Sequence, residues 1–158
     1  MKWRFRKMNR ALCLILAGVA VFLLVAGAKC ENSPSSEKTM PEIKITIGER
    51  TFSATLENTS AAAGFVKRLP LTLRMNELNG NEKYICLAEK LPSDPSCPGK
   101  IRGGELMLYG RSTLVLFYES SLTSYSYTRI GKIADTKRLK EAVEDRDVTV
   151  KFEIESNK

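Results

Sequence analysis

The sequence predicts a mainly β domain, a closed antiparallel barrel with two short helices, and three observations predict it. Apolar and polar residues alternate over several short segments, the period of a half-buried strand. Only two short stretches, one early and one late, carry helical spacing instead. The resulting seven or eight strands in one domain suit closure, because a closed sheet has no exposed edge, although a sandwich satisfies the same count.

The first two strands lie in EIKITIGERTFSATL, where Ile43, Ile45 and Ile47 alternate with polar residues, as do Phe52, Ala54 and Leu56. A Gly-first turn at Gly48-Glu49 sets Ile47 against Arg50, Ile45 against Phe52 and Ile43 against Ala54, and that register puts both apolar sets on one face. The period changes in NTSAAAGFVKRLP, where Ala62, Phe65, Val66 and Leu69 have helical spacing. Asn58, Thr59 and Ser60 are candidate caps, and Pro70 ends the helix.

A strand follows in LTLRMNEL, with Leu71, Leu73 and Met75 on one face and Thr72, Arg74 and Asn76 on the other, before Asn79-Gly80-Asn81 turns the chain. Beyond a proline-rich loop, ELMLYG and STLVLFYE are apolar on both faces, which places them centrally in the sheet. SYSYTRIGKI is a further strand. Thr136 is positioned to cap a second helix in which Leu139, Ala142 and Val143 share a face, and DVTVKFEIE closes the domain with Val148, Val150, Phe152 and Ile154 alternating with polar residues.

This barrel domain is expected over residues 42–156, a single domain of about 115 residues that is large enough to bury its own core. Residues 29–41, KCENSPSSEKTMP, lack apolar periodicity and read as a polar tether. Residues 1–28 read as a signal peptide or membrane anchor, because the uncharged stretch 11–28 follows a basic cluster of Lys2, Arg4, Arg6, Lys7 and Arg10. Ala26-Gly27-Ala28 supplies a small-x-small cleavage pattern. Cys30 is the lipidation candidate, with Lys29 standing where a lipoprotein signal wants a small residue. The expected location is extracytoplasmic, secreted or tethered to the outer face of the cytoplasmic membrane.

Removing residues 1–28 takes away five of the 25 basic residues and none of the 18 acidic ones, so the formal net charge falls from +7 to +2. The basic balance belongs to the leader. No run of Lys and Arg survives in the remainder, so the basic stripe that nucleic-acid binding requires is missing. Cys86 and Cys97, 11 residues apart around Pro92, Asp94 and Pro95, form a disulfide candidate in an oxidising compartment. They lack the C-x-x-C spacing of a redox-active pair.

The segments LPLTLRMNELNGNEKY, CPGKIRGGELMLYG, LVLFYE and SYSYTRIGKI, in this order and spacing, together with the opening hairpin, resemble the bacterial cyclophilin-like domain family. These are small proteins found alone, behind secretion signals or fused to flavodoxin-like domains. The resemblance spans about residues 43–153 and implies an eight-stranded closed barrel with two helices. It implies no established activity, since the family is largely of unknown function. True cyclophilins isomerise prolyl bonds with an arginine on a strand, a phenylalanine-rich pocket and an F-M-x-Q-G-G segment. That segment is absent here, and Arg74, beside Met75, is the residue placed to stand in for the arginine.

The chain contains no histidine, which excludes Ser-His-Asp and Cys-His catalysis and imidazole-based zinc sites. The carboxylates Glu77 and Glu82 flank the Asn-Gly turn and read as solvated, and Asp145 and Asp147 read as turn residues before the last strand. Gly103-Gly104 lacks the spacing of a phosphate loop. No catalytic residue, metal or cofactor is expected.

What remains is a recognition surface. Tyr125, Tyr127 and Arg129 alternate along one strand and so project from one face, and tyrosine and arginine are enriched where surfaces bind partners. Met75, Asn76, Tyr84 and Tyr109 complete a ligand-binding groove if the barrel sets their strands side by side. The expected function is an exported, non-enzymatic binding module for a peptide, a protein or a small ligand. A weak peptidyl-prolyl isomerase and an accessory to a flavodoxin-like redox protein are the alternatives.

Overall fold

The computed structural model describes residues 40–156. The apolar leader with Cys13, the lipidation candidate Cys30 and the tether up to residue 39 lie outside the described residues. Among the described residues no helix is long and apolar enough to cross a membrane.

Strands β1 (Ile43–Ile47) and β2 (Arg50–Leu56) form the opening hairpin. Its register is the one set by the alternation, with Ile43 opposite Ala54, Ile45 opposite Phe52 and Ile47 opposite Arg50. Gly48 turns the chain at φ +58°, a conformation that glycine adopts at no steric cost. Helix α1 (Ser60–Val66) follows, capped by the Thr59 hydroxyl, which accepts the Ala62 N–H at 3.1 Å.

Strands β3 (Leu71–Leu78) and β4 (Glu82–Cys86) are joined through Asn79 and Gly80, both at positive φ. After the proline-rich loop come β5 (Lys100–Ile101), β6 (Glu105–Tyr109), β7 (Thr113–Phe117), β8 (Ser121–Leu122) and β9 (Tyr127–Ile133). Helix α2 (Leu139–Val143) and strand β10 (Val148–Ile154) complete the domain.

Eight of these strands close an antiparallel barrel in the order β1-β10-β3-β4-β7-β6-β9-β2, and β5 and β8 pair separately as a small two-stranded sheet. The separate pair is too short to be legible as alternation. Two local expectations are corrected. Helix α2 has no side-chain cap: Thr136 contributes its carbonyl to the Leu139 N–H at 3.0 Å, and its methyl group instead packs over Gly104. Strand β9 begins only at Tyr127, so Tyr125 stands just ahead of it.

The barrel interior is filled by alternate residues of each strand, including Ile43, Ile45, Met75, Leu106, Leu108, Leu114, Leu116, Val150 and Phe152. Both helices bury apolar residues in the same core. Phe65 of α1 meets Phe152 edge-on with ring centres 5.5 Å apart, and Leu139 and Val143 of α2 are fully buried. Contacts of this kind stabilise by roughly 1.5–3 kcal/mol for each large side chain removed from water.

Strands β6 and β7 are apolar on both faces for a reason the fold makes plain. Their outward residues Met107, Val115 and Phe117 build a second cluster with Ile101 of β5 and Tyr127 of β9, outside the barrel wall. The wall closes where β2 meets β9 over Ala54–Leu56 and Ile133–Gly131. There a Cβ on Gly131 would lie 2.4 Å from the Thr55 carbonyl oxygen, so only glycine lets the two backbones approach.

Candidate functional site

Pairing and alternation together decide which side chains share the outer face of the wall. Glu82, Tyr84 and Cys86 project outward from β4, where they stand opposite Phe117, Val115 and Thr113 of β7. Tyr109 of β6 faces Thr113 on one side and Tyr127 of β9 on the other. This patchwork forms a groove of about 490 Å³ lined by Tyr84, Tyr109, Tyr125, Tyr127, Glu82 and Val115, with Leu78, Asn79, Cys86 and Thr113 around them. Its size falls in the range typical of small-ligand sites.

The rings form a graded series from floor to rim. Tyr127 is 8 % exposed, Tyr109 46 % and Tyr125 62 %. Tyr127 packs edge-on against Phe117 at 5.6 Å and tilted against Tyr109 at 5.5 Å, and Tyr109 meets Tyr125 edge-on at 6.0 Å. Such geometries suit the quadrupoles of aromatic rings and hold them in fixed orientations.

The proline-rich loop fastens the floor. Ser96 and Tyr127 exchange backbone hydrogen bonds of 2.9 and 3.0 Å, and the Asp94 N–H donates to the Thr128 hydroxyl at 2.9 Å. On the rim, the Tyr125 N–H donates to the Thr123 hydroxyl at 3.0 Å.

Glu82 is the residue that sequence reasoning misplaced. It was expected to be solvated beside the turn, yet it is 9 % exposed and lies in the groove lining. Its carboxylate has no hydrogen-bond or ion-pair partner among the described residues. Desolvation, with a smaller contribution from the charge of Glu77, raises its pKa above the ordinary carboxylate value. Desolvation and then the charge of Glu82 likewise raise the pKa of the Tyr127 hydroxyl. The usable signal was its place two residues before Tyr84, on the same strand face.

Four of the expected groove residues therefore come together: Tyr84, Tyr109, Tyr125 and Tyr127. The other three do not line the groove. Met75 points into the barrel core and is fully buried. Asn76 pairs with Tyr84 across β3 and β4 but lies outside the lining. Arg129 continues the outer face of β9 and donates from Nη1 to Glu105 Oε1 at 2.7 Å, so its charge is matched there.

Behind the groove, on the inner face of β4, Lys83 is completely buried. Its ammonium pairs with Glu77 and donates to the carbonyl oxygens of Glu144 at 2.7 Å and Arg146 at 2.8 Å, while lying 5.0 Å from the centre of the Tyr118 ring. Glu77, also expected to be solvated, accepts from the Gly80 N–H at 2.8 Å and the Tyr118 hydroxyl at 3.0 Å. Desolvation raises its pKa, but the hydrogen bonds from Lys83, Gly80 and Tyr118 and the Lys83 charge outweigh this, and the net direction is downward.

Arg74 lies elsewhere, in a separate groove of about 560 Å³ with Arg68, Leu71, Thr72, Leu73, Ile85 and Leu87 among its lining residues. No aromatic side chain lines it, and Arg74 reaches Asp147 at 3.8 Å. The disulfide candidates Cys86 and Cys97 are both free and exposed in this structure. Cys86 ends β4 and faces the Thr113 hydroxyl at 3.6 Å, whereas the Cys97 thiol faces the Thr123 carbonyl at 3.8 Å. Among the described residues no group of three or more Cys, Asp and Glu side chains could hold a metal ion.

Comparison with known proteins agrees with this architecture. The family described as the cyclophilin-like family matches residues 45–155. The solution structure of a hypothetical protein from Archaeoglobus fulgidus superposes with a TM-score of 0.51 at 15 % identity, over 74 % of this chain and 96 % of that one. At that identity the likeness concerns the fold alone. No curated protein matches the chain.

Proposed function

Since the chain belongs to the cyclophilin-like family, we propose that it is a binding module whose ligand, a peptide, a protein segment or a small molecule, occupies the tyrosine-lined groove on the outer wall of the barrel. The observation that carries this reading is the convergence of Tyr84, Tyr109, Tyr125 and Tyr127, from separate parts of the chain, on one groove. Tyrosines give large contact area at low conformational cost and a polar tip that can bond to a ligand. Residues 11–28, with the basic cluster before them, support the further reading that the module is exported and works outside the cytoplasm, secreted or held at the membrane.

The test is ligand capture. Tyr109→Ala and Tyr125→Ala are expected to weaken retention of a ligand identified by screening peptides and small molecules, while Arg74→Ala leaves it unchanged. Retention unaffected by either tyrosine substitution moves the site off this groove. A prolyl isomerisation assay on the same protein, with Arg74→Ala and Arg129→Ala beside it, is expected to give the uncatalysed rate throughout. A rate above background that Arg74→Ala removes would overturn the non-enzymatic reading. Failure to bind flavin or to retain a flavodoxin-like protein separates the module from a flavin accessory.

A further inference from the structure

We propose that the groove recognises an organic cation, an ammonium or guanidinium group seated against the faces of the tyrosine rings with its charge on Glu82. This rests on the groove reading and names the chemistry of its occupant.

Three observations lead there. The first is Glu82 itself, a residue 9 % exposed whose carboxylate lies in the groove lining, open to the groove, with no hydrogen-bond or ion-pair partner among the described residues. Burying an unmatched carboxylate is costly, and proteins normally supply a partner. The second is the disposition of nearby positive charge. Lys83 turns inward to Glu77 and two carbonyls, Arg129 is matched by Glu105, and no lysine or arginine lines the groove. Among the described residues there is thus no counter-ion for this carboxylate.

The third is the company Glu82 keeps. Tyr84, Tyr109, Tyr125 and Tyr127 surround the same space, and the faces of tyrosine rings attract cations, more strongly where water is excluded. A carboxylate with aromatic rings is complementary to a charge spread over carbon and nitrogen. A neutral prolyl or aromatic ligand would use the rings and leave Glu82 as poorly matched as before. An anionic ligand would meet repulsion from it. Hence charge complementarity favours a cation among the ligands the groove can hold.

The cation can come from a free amine or from a basic side chain of a peptide, and the experiment separates the two. The full chain in mild detergent is titrated, with tyrosine fluorescence and calorimetry as readouts, against choline and against 3,3-dimethylbutan-1-ol, its neutral isostere. Short glycine peptides carrying a central lysine, arginine or leucine form the second arm. Choline, or the lysine or arginine peptide, is expected to saturate the protein while its neutral counterpart does not. Preference for choline identifies a free cation, and preference for the peptides identifies a basic side chain.

Glu82→Gln is expected to weaken cation binding by about tenfold or more. Tyr125→Phe, which keeps the ring face, should bind as the parent does, and Tyr125→Ala should bind more weakly. A thermal melt of each variant reports that it is folded. Equal binding of the alcohol and choline, insensitive to Glu82→Gln but lost in Tyr109→Ala, overturns the cation assignment and leaves the groove standing. Cation binding unaffected by Tyr109→Ala and Tyr125→Ala overturns the groove itself. Absence of binding by every cation up to tens of millimolar overturns the proposal.

Discussion

The ammonium of Lys83 and the carboxylate of Glu77 form an ion pair across β3 and β4, with the lysine wholly shielded from water. The pair ties the β3–β4 turn to the connection between α2 and β10, because the remaining protons of Lys83 go to the carbonyls of Glu144 and Arg146. Removing one partner of such a pair strands the other charge, which costs more than the pair itself contributes. Glu77→Gln is therefore expected to destabilise by roughly 3 kcal/mol, the low end for a buried pair because the Glu77 side chain is 21 % exposed. Urea unfolding measures this, and Lys83→Met combined with Glu77→Gln should recover part of the loss.

The same pair gives a pH signature. The folded-state pKa of Glu77 is depressed below 4.5, so its contribution is fully present above the unfolded value and is lost as pH falls through the folded one. Stability of the parent should drop more steeply than stability of Glu77→Gln as the pH falls from 4.5, the unfolded value, to the folded one. Parallel acid limbs of the two unfolding curves would contradict it.

Glu82 has the opposite sign. Its folded-state pKa is raised above 4.5, so the stability linked to it is present at low pH and is lost as pH rises through the folded value. Glu82→Gln should melt higher than the parent at neutral pH, and the gap should close below pH 4.5. Glu77 and Lys83 from the inner side, and Tyr84, Tyr109, Tyr125, Tyr127 and Cys86 from the groove, are the titratable groups around it. A lower melting temperature for Glu82→Gln at neutral pH would show that the carboxylate has a favourable partner in the free protein.

Tyr127 and Tyr125 should separate stability from binding. Tyr127 belongs to the outer cluster with Phe117, so Tyr127→Ala is expected to cost about 3 kcal/mol, as removal of a buried aromatic does. Tyr125 stands 62 % exposed at the rim, and Tyr125→Ala should change stability by no more than about 0.5 kcal/mol. Denaturant curves on the two variants check the contrast.

Closure of the barrel should depend on Gly131. A methyl group there would meet the Thr55 carbonyl at 2.4 Å, and backbone on the facing strand cannot swing aside as a side-chain end can. Gly131→Ala is expected to destabilise by about 1–3 kcal/mol, the usual cost of overpacking, and to speed amide exchange in β2 and β9. Unchanged stability would mean that the wall yields at this seam.

What was legible in the sequence was local. The β1–β2 register followed from alternation over a two-residue turn, and side-chain chemistry narrowed the cap of α1 to Asn58, Thr59 or Ser60, of which Thr59 fills the role. The apolar character of β6 and β7 on both faces marked them as covered on both sides, but the cover on the outer side is the second cluster rather than a central place in the sheet, since a closed barrel has none. The fate of charged residues was not legible in the same way. Lys83 is buried because its acceptors sit 61 and 63 residues further along, and Glu82 because β7 pairs beside it and Tyr127 of β9 shares its groove. Alternation along one strand grouped Arg129 with Tyr125 and Tyr127, and adjacency of strands in the barrel grouped Met75 with them, while the pleat turns Met75 inward and Glu105 draws Arg129 away.

The second apolar cluster has a dynamic consequence. Strands β6 and β7 face the barrel core on one side, and on the other their Met107, Val115 and Phe117 are covered by Ile101 and Tyr127, so their amides are expected to open rarely. The floor of the tyrosine groove is thus mounted on strands expected to exchange slowly, and Tyr125, ahead of β9 and well exposed, stands at its rim. A ligand settling there meets a surface already in place, and the ordering it must bring about falls on the rim and on itself.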